Sequence, residues 1–272
     1  MESKNRFNRN RPKKNESEKR KSGKSDLPPL LYGKHCCLAA LQNNQRQIEQ
    51  IFISKNNEAD LRQFLKEKKI NFNNNLIKVI DGKYFANILP EGAVHQGFAL
   101  KCSDINTTDF NDFYGQIARL EAQKLPQLLI LDNLTDPHNI GAIIRSAGAF
   151  GFEHIIFSGR NCPINSPVVA KTACGVLEIV NLISGQNLNN LLDSLKKLGY
   201  WRLGLAGEGT DTISAAQNYQ PIALILGSEG AGIRRLVKEN CDLLVKIPIA
   251  TTVESLNASN AAAIAMYEIS KK

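Results

Sequence analysis

The chain has 272 residues, 43% of them hydrophobic and 22% charged, and a formal net charge of +8. These values exclude a wholly disordered or fibrous chain and leave room for one or two domains with a real core. No apolar run is long enough for a membrane span, and the six cysteines form no C-x-x-C pair and do not cluster with the four histidines. Neither a zinc site nor a disulfide framework is indicated, and inert thiols in a reducing cytosol are expected.

The charge is unevenly placed. Residues 1–26 hold ten Lys/Arg and four acids, while the rest of the chain holds 24 basic and 22 acidic side chains. With one aromatic residue, Phe7, and no apolar periodicity, residues 1–27 are expected to be a disordered basic tail. Such an arm attracts RNA or DNA by counterion release, and a solubilising or targeting tail is the other reading. It lacks the apolar stretch of a secretory signal, and its acids speak against a mitochondrial presequence.

Pro28-Pro29 closes the tail. A helix-like segment runs to Gln42, residues 50–54 read as a strand, and residues 58–69 read as an amphipathic helix with Leu61, Phe64 and Leu65 on one face. Residues 76–80 read as a strand, Asp81 as the cap of a short helix, and residues 97–102 as a further strand. This α-β-α-β-α-β order predicts a small α/β sandwich over residues 28–102. Residues 103–124 read as a linker followed by a helix. In it Phe110, Phe113, Tyr114, Ile117 and Leu120 lie at helical spacing, as a packing face does.

From residue 125 the chain alternates strand and helix. Strands are predicted at 128–131, 154–157, 176–180, 201–206, 222–226 and 243–245, and helices at 168–173, 188–198, 233–239 and 258–269. A further helix carries Ile140, Ile143, Ile144, Ala147 and Phe150 as an apolar stripe. Repeated βα units imply a doubly wound, mostly parallel sheet with its site at the carboxyl ends of strands.

Three loops fall at such ends: 132–141, 227–232 and 247–257. Arg145 lies off the apolar stripe of its helix, with Gly141 four residues before it and Gly148 three after. Two glycines in a helix cost ~1 kcal/mol each relative to Ala. Close approach of a ligand or another chain is one reason for them, and tight packing against a neighbouring helix is the other. Gly227, Gly230 and Gly232 follow G-x-x-G-x-G, which is neither the dinucleotide fingerprint nor a P-loop. What remains is a glycine loop beside one carboxylate, Glu229. In the third loop Ser255, Asn257, Ser259 and Asn260 can cap the helix that follows.

Together these loops resemble the SpoU/TrmH family of RNA ribose 2′-O-methyltransferases. Asn139, Gly141 and Arg145 match its N-x-G-x-x-x-R motif. Leu226, Gly227, Glu229 and Gly232 match L-G-x-E-x-x-G, and Ile247, Pro248, Ser255, Leu256, Asn257 and Ser259 match the third motif. Residues 30–101, with YGKH and HQGFAL at their ends, resemble the L30e-like RNA-binding domain of the 23S rRNA guanosine-2′-O-methyltransferase branch.

The resemblance implies a trefoil-knotted methyltransferase domain over residues 125–272 that is cytoplasmic, free of metal, homodimeric and acts on RNA. It implies S-adenosyl-methionine as cofactor, contacted by Gly227, Ile247, Leu256, Ser255 and Asn257. Arg145 is the family's catalytic residue, with Asn139 and Glu229 orienting it or the target nucleotide. A tRNA substrate, or a non-catalytic RNA-binding assembly protein, are the alternative readings. Ile249, Thr251 and Asn260 depart from the usual Met, Gly and apolar residue. Thr251 would be strained if its position required a positive φ.

Overall fold

The computed structural model describes residues 30–158 and 162–271, so the basic tail expected at residues 1–27 lies outside the described residues. The chain builds two sheets in sequence. The first comprises β1 (Leu31–Tyr32), α1 (Lys34–Gln42), β2 (Ile48–Ser54), α2 (Glu58–Glu67), β3 (Ile77–Ile80), α3 (Gly82–Ile88) and β4 (Phe98–Cys102). Its strand order is β1-β4-β2-β3, with β2/β3 parallel and the other two pairs antiparallel. Asp81 caps α3 as the sequence predicts, accepting from the Tyr84 amide at 2.8 Å. The strand β1 is an addition to the predicted order, since two residues carry no readable period.

Residues 103–107 carry no regular structure, and the second sheet begins where this stretch ends. Thr108–Asp109 forms β5, which pairs with a strand of the large sheet. It leads directly into α4 (Phe110–Ile117), which buries Phe110, Phe113 and Ile117 as a packing face, while Leu120 lies beyond the helix and is exposed. Then come β6 (Leu128–Asp132), α5 (Pro137–Ala149), β7 (His154–Ser158), α6 (Pro167–Thr172), β8 (Asn181–Gly185), α7 (Leu188–Lys197), β9 (Trp201–Leu205), β10 (Asp211–Thr212), β11 (Ile222–Leu226), α8 (Arg235–Glu239), β12 (Leu243–Lys246) and α9 (Ala258–Ser270). The eight strands are all parallel, in the order β10-β12-β9-β11-β6-β7-β8-β5. Fully buried runs such as Leu128–Asp132 and Ile222–Leu226 are what a sheet covered on both faces requires.

One predicted strand is displaced. Residues 176–180 contain a 3-10 turn, Val176–Glu178, and the strand is Asn181–Gly185 instead. The cause is pairing: Asn181 stands opposite His154 and Leu182 opposite Ile155 on β7, a register that outweighs the higher β propensity of V-L-E-I-V.

The two sheets share one hydrophobic core that runs from Leu31, Cys37 and Ile51 to Val169, Ala170 and Leu177. At its edge Arg46 grips Glu178 with two bonds, Nε to Oε2 at 3.0 Å and Nη2 to Oε1 at 2.7 Å. Asn43 adds a third donor at 2.8 Å, and both charged side chains are at most 5% exposed.

The strand order also fixes the end of the chain. β12 lies between β9 and β10, both of which precede it in sequence. The connection between those two strands crosses it, because a Cβ on Gly209 would stand 2.7 Å from the Leu244 carbonyl oxygen.

Candidate active site

The order in which strands are added reverses between β6 and β11, which pair through Leu131 and Leu226 at their carboxyl ends. In an open parallel sheet that reversal leaves a crevice, and the crevice is where ligands bind. The loops leaving β6, β11 and β12 all open on this side of the sheet.

Each loop is held by its own sequence. Asp136 caps α5, accepting from the His138 amide at 3.0 Å, and Pro137 occupies the first helical turn, where its missing N–H costs nothing. The glycine loop closes on itself through Ser228 N to Gly232 O at 3.1 Å and Gly232 N to Ser228 O at 2.9 Å. That closure explains Gly227, because a Cβ there would lie 2.0 Å from the Gly232 carbonyl carbon. In the third loop the Asn257 side-chain oxygen caps α9, accepting from the amides of Ser259 and Asn260 at 2.9 and 3.4 Å.

The three loops meet in one hydrogen-bonded cluster. Asn139, 6% exposed, donates to Asp136 Oδ2 at 2.8 Å and to Glu229 Oε1 at 2.6 Å. Asn257 Nδ2 donates to Asn139 Oδ1 at 3.0 Å and to Glu229 Oε1 at 2.9 Å. Both N–H groups and the carbonyl of the buried Asn139 amide are therefore satisfied, as burial requires. Glu229 gathers two amide donors on one oxygen, Oε1. Asn139, Glu229 and Asn257, each predicted from a different motif, are thus brought together.

Arg145 stands apart from them. It is exposed on α5, and neither Asn139 nor Glu229 hydrogen-bonds to it among the described residues. The glycines around it serve the helix packing. A Cβ on Gly141 would stand 2.6 Å from Thr172 Cβ on α6, and one on Gly148 would stand 2.5 Å from Val176 Cγ1. Of the two readings left open by the sequence, close packing against a neighbour is the one observed.

Two features escaped the sequence reading. Asp132, at the end of β6, is fully buried and accepts from Arg234 N at 3.1 Å and Nε at 2.8 Å. This pair ties the residue before α8 to the strand before α5 and so pins the far side of the glycine loop. The signal was a carboxylate ending the otherwise apolar run L-L-I-L-D. The loop after β9, Ala206-Gly207-Glu208-Gly209, also enters the crevice rim, because β9 lies between β11 and β12.

Ile247 and Leu256 are half-buried beside this rim, and Ser255 is exposed. Thr251 is unstrained: the non-glycine residues with positive φ among the described residues are Lys69, Gln96, Asn133 and Cys174. Open grooves of about 360, 520 and 230 Å³ lie on the first sheet unit, away from these loops. Among the described residues no group of three or more His, Cys, Asp or Glu could hold a metal ion, and no helix is long and apolar enough to cross a membrane.

Comparison with known proteins supplies the context. Residues 126–267 match the model of the SpoU rRNA Methylase family, and residues 30–108 match that of the RNA 2′-O ribose methyltransferase substrate-binding domain. The 23S rRNA (guanosine-2′-O-)-methyltransferase RlmB of Coxiella burnetii is 36% identical over 242 residues, which cover 89% of this chain and 95% of that protein. The RlmB of Vibrio parahaemolyticus is 36% identical over 247 residues, covering 88% and 95%. An uncharacterized tRNA/rRNA methyltransferase of Synechocystis is also 36% identical, but this chain spans 62% of its length. The crystal structure of the SpoU methyltransferase AviRb from Streptomyces viridochromogenes, in complex with the cofactor AdoMet, has the same fold. Its TM-score is 0.71 at 21% identity, covering 89% of this chain and 88% of that one. With its three sequence motifs joined at one crevice and both family models matched in order, this chain belongs to the SpoU methyltransferase family.

Proposed function

We propose that the chain transfers a methyl group from S-adenosyl-methionine to the ribose 2′-oxygen of a guanosine in 23S rRNA. The observation that carries this reading is the Asn139–Glu229–Asn257 cluster, which locks three loops around one crevice. The RlmB relatives, similar over nearly their whole length, point to the ribosomal substrate over tRNA. The unstrained Thr251 removes the main ground for a non-catalytic reading.

The residues fit the cofactor. Ile247 and Leu256 offer half-buried apolar surface, and Gly207, Gly230 and Gly232 have open space where a side chain would stand. Gly227, Ser255 and Asn257 complete the wall. Bound S-adenosyl-methionine supplies an electrophilic methyl group on a sulfonium. The protein's task is then placement, since holding reactants in line accounts for most of such a barrier.

Arg145 is charged and has no acceptor lone pair, so it cannot take the 2′-hydroxyl proton. It binds a substrate phosphate and stabilises the developing alkoxide, while the proton passes to a phosphate oxygen or to water. Asn139 and Glu229 act one step removed, by holding the glycine loop and the α9 cap in register.

The same reading places residues 28–102 as the RNA-binding domain and the protein in the cytoplasm. It treats the insertion of β12 between β9 and β10 as the core of a trefoil knot. It pairs two copies through α9, where Ile264 and Tyr267 are exposed apolar side chains. The test is ribose-methylation mapping of total RNA from cells with and without the protein. Loss of one 2′-O-methylguanosine in 23S rRNA is expected, and loss confined to tRNA would overturn the substrate.

A further inference from the structure

We propose that a groove between α2 and the turn at residues 69–76 seats an unpaired nucleotide of the RNA substrate, away from the methylated one. The inference rests on the RNA reading above and names a second contact point for that substrate. The groove has a volume of about 360 Å³ and is lined by Arg62, Lys66, Lys69, Asn71, Phe72 and Asn74, over a floor of Leu65 and Ile70. That volume lies within the range of roughly 300–1,000 Å³ common to small-ligand sites.

Its chemistry is that of a nucleotide. Arg62 is held in place by Glu58 at 2.8 Å and donates to Asn74 Oδ1 at 3.2 Å. Lys66 and Lys69 form no ion pair among the described residues, so two positive charges remain for phosphate. Phe72 is half-buried, with its ring at the groove, and bases stack on such rings whatever their sequence. Asn71 and Asn74 bring amide edges that pair with base edges.

Lys69 adds an independent sign. It ends α2 in the left-handed region, φ 53°, with Ile70 N bonded to Leu65 O at 2.9 Å. Helices that end this way ordinarily use Gly or Asn, and here the position places a lysine at the groove.

The wider field agrees. Residues 30–102 hold ten basic and six acidic side chains, whereas residues 103–272 hold 14 basic and 16 acidic. The first sheet unit therefore carries the stronger attraction for a polyanion.

The experiment uses the full chain, in-vitro-transcribed 23S rRNA, filter binding over a salt series, and transfer of labelled methyl. The Lys66→Gln/Lys69→Gln variant should lose affinity and flatten the log K against log salt slope by about 1.4, about 0.7 for each phosphate contact on unpaired RNA. Phe72→Leu should weaken binding about fivefold or more with the slope unchanged, and Phe72→Tyr should restore it. The lysine and leucine variants should raise KM for RNA, Phe72→Tyr should not, and all should leave kcat and S-adenosyl-methionine binding as in the wild type.

Unchanged affinity in both the lysine and leucine variants overturns the proposal. A charge effect with Phe72→Leu silent overturns the nucleotide seat and leaves a basic face for an acidic partner. A wild-type protein that binds the rRNA but transfers no methyl defeats the functional reading, while the binding comparison still decides the groove.

Discussion

Asn257 donates to Asn139 across 3.0 Å, while its own oxygen caps α9 at 2.9 Å from the Ser259 amide. One side chain therefore joins the end of the third loop to the start of α5 and to the glycine loop. Asn257→Asp keeps the cap but replaces the donor with a second carboxylate facing Glu229. Cofactor affinity should fall by about an order of magnitude, because two like charges would oppose each other where a 2.9 Å hydrogen bond now joins the loops. Asn257→Ala should in addition lose the cap, worth ~1 kcal/mol. Titration calorimetry with S-adenosyl-methionine, set beside thermal melts, separates the two effects, and unaltered affinity in Asn257→Asp would refute the bracing role.

Arg145→Ala should fold normally, since the side chain is exposed and outside the α5 packing stripe. It should bind S-adenosyl-methionine as the wild type does and lose roughly 10²–10³ in kcat, the usual cost of removing one donor aimed at developing charge. Single-turnover methyl transfer to 23S rRNA measures this, and near-normal turnover would exclude Arg145 from the reaction.

Glu178→Gln should destabilise the chain by about 3–5 kcal/mol, because Arg46 would be left buried without its counter-charge. Arg46→Met with Glu178→Leu should recover much of that loss, since apolar replacement of both partners removes the buried charge altogether. Urea midpoints of the wild type and the two variants decide the matter. Similar midpoints for the single and double variants would mean that the pair is not what holds the two sheet units together.

Asp242 predicts the acid limb of the stability curve. Burial raises its pKa, but hydrogen bonds from the Arg202 guanidinium and backbone amide outweigh that and hold it below the usual 3.8. A depressed folded value means that its stabilisation is complete above the unfolded pKa. It is lost as pH falls from there through the folded value. Asp242→Asn should therefore be less stable than wild type at neutral pH, and the gap should narrow below about pH 4. Melts between pH 2 and 7 test this, and a gap independent of pH would rule out the linkage.

Thiol reactivity should follow exposure. Burial pushes Cys102 and Cys162 up to about 11 and Cys241 up to about 12, whereas Cys174 is exposed at a left-handed turn. Iodoacetamide at pH 8 with peptide mass spectrometry should label Cys174 well before those three. Equal labelling of Cys102 would contradict the packing of the first sheet unit.

Much of this architecture was readable from one-dimensional pattern. The apolar stripe of α5, the apolar runs of β6 and β11, and a capped start to α9 are local features that the sequence states directly. What it concealed depends on partners distant in sequence. Val176 belongs to a strand by propensity, yet it packs where Gly148 leaves room, and the strand starts five residues later opposite His154. Likewise Arg234 looked like the second residue of a helix. Only the fold brings it to Asp132, 102 residues away, before the helix has begun. For the site, the motifs named Asn139, Glu229 and Asn257 but not their bonds to one another, which span 28 to 118 residues of sequence.

The placement of β12 between β9 and β10 governs the order of synthesis. Both neighbours leave the ribosome some thirty residues or more before it, and they cannot pair with each other without closing the slot that β12 must fill. Neighbouring strands lie about 4.8 Å apart, so the gap has to stay roughly two spacings wide until the last segment arrives. The crevice wall at Ile247 and Leu256 and the Asn257 brace belong to that same late segment. A nascent chain thus lacks the bond that joins Asn139 to Asn257 until this segment has been made.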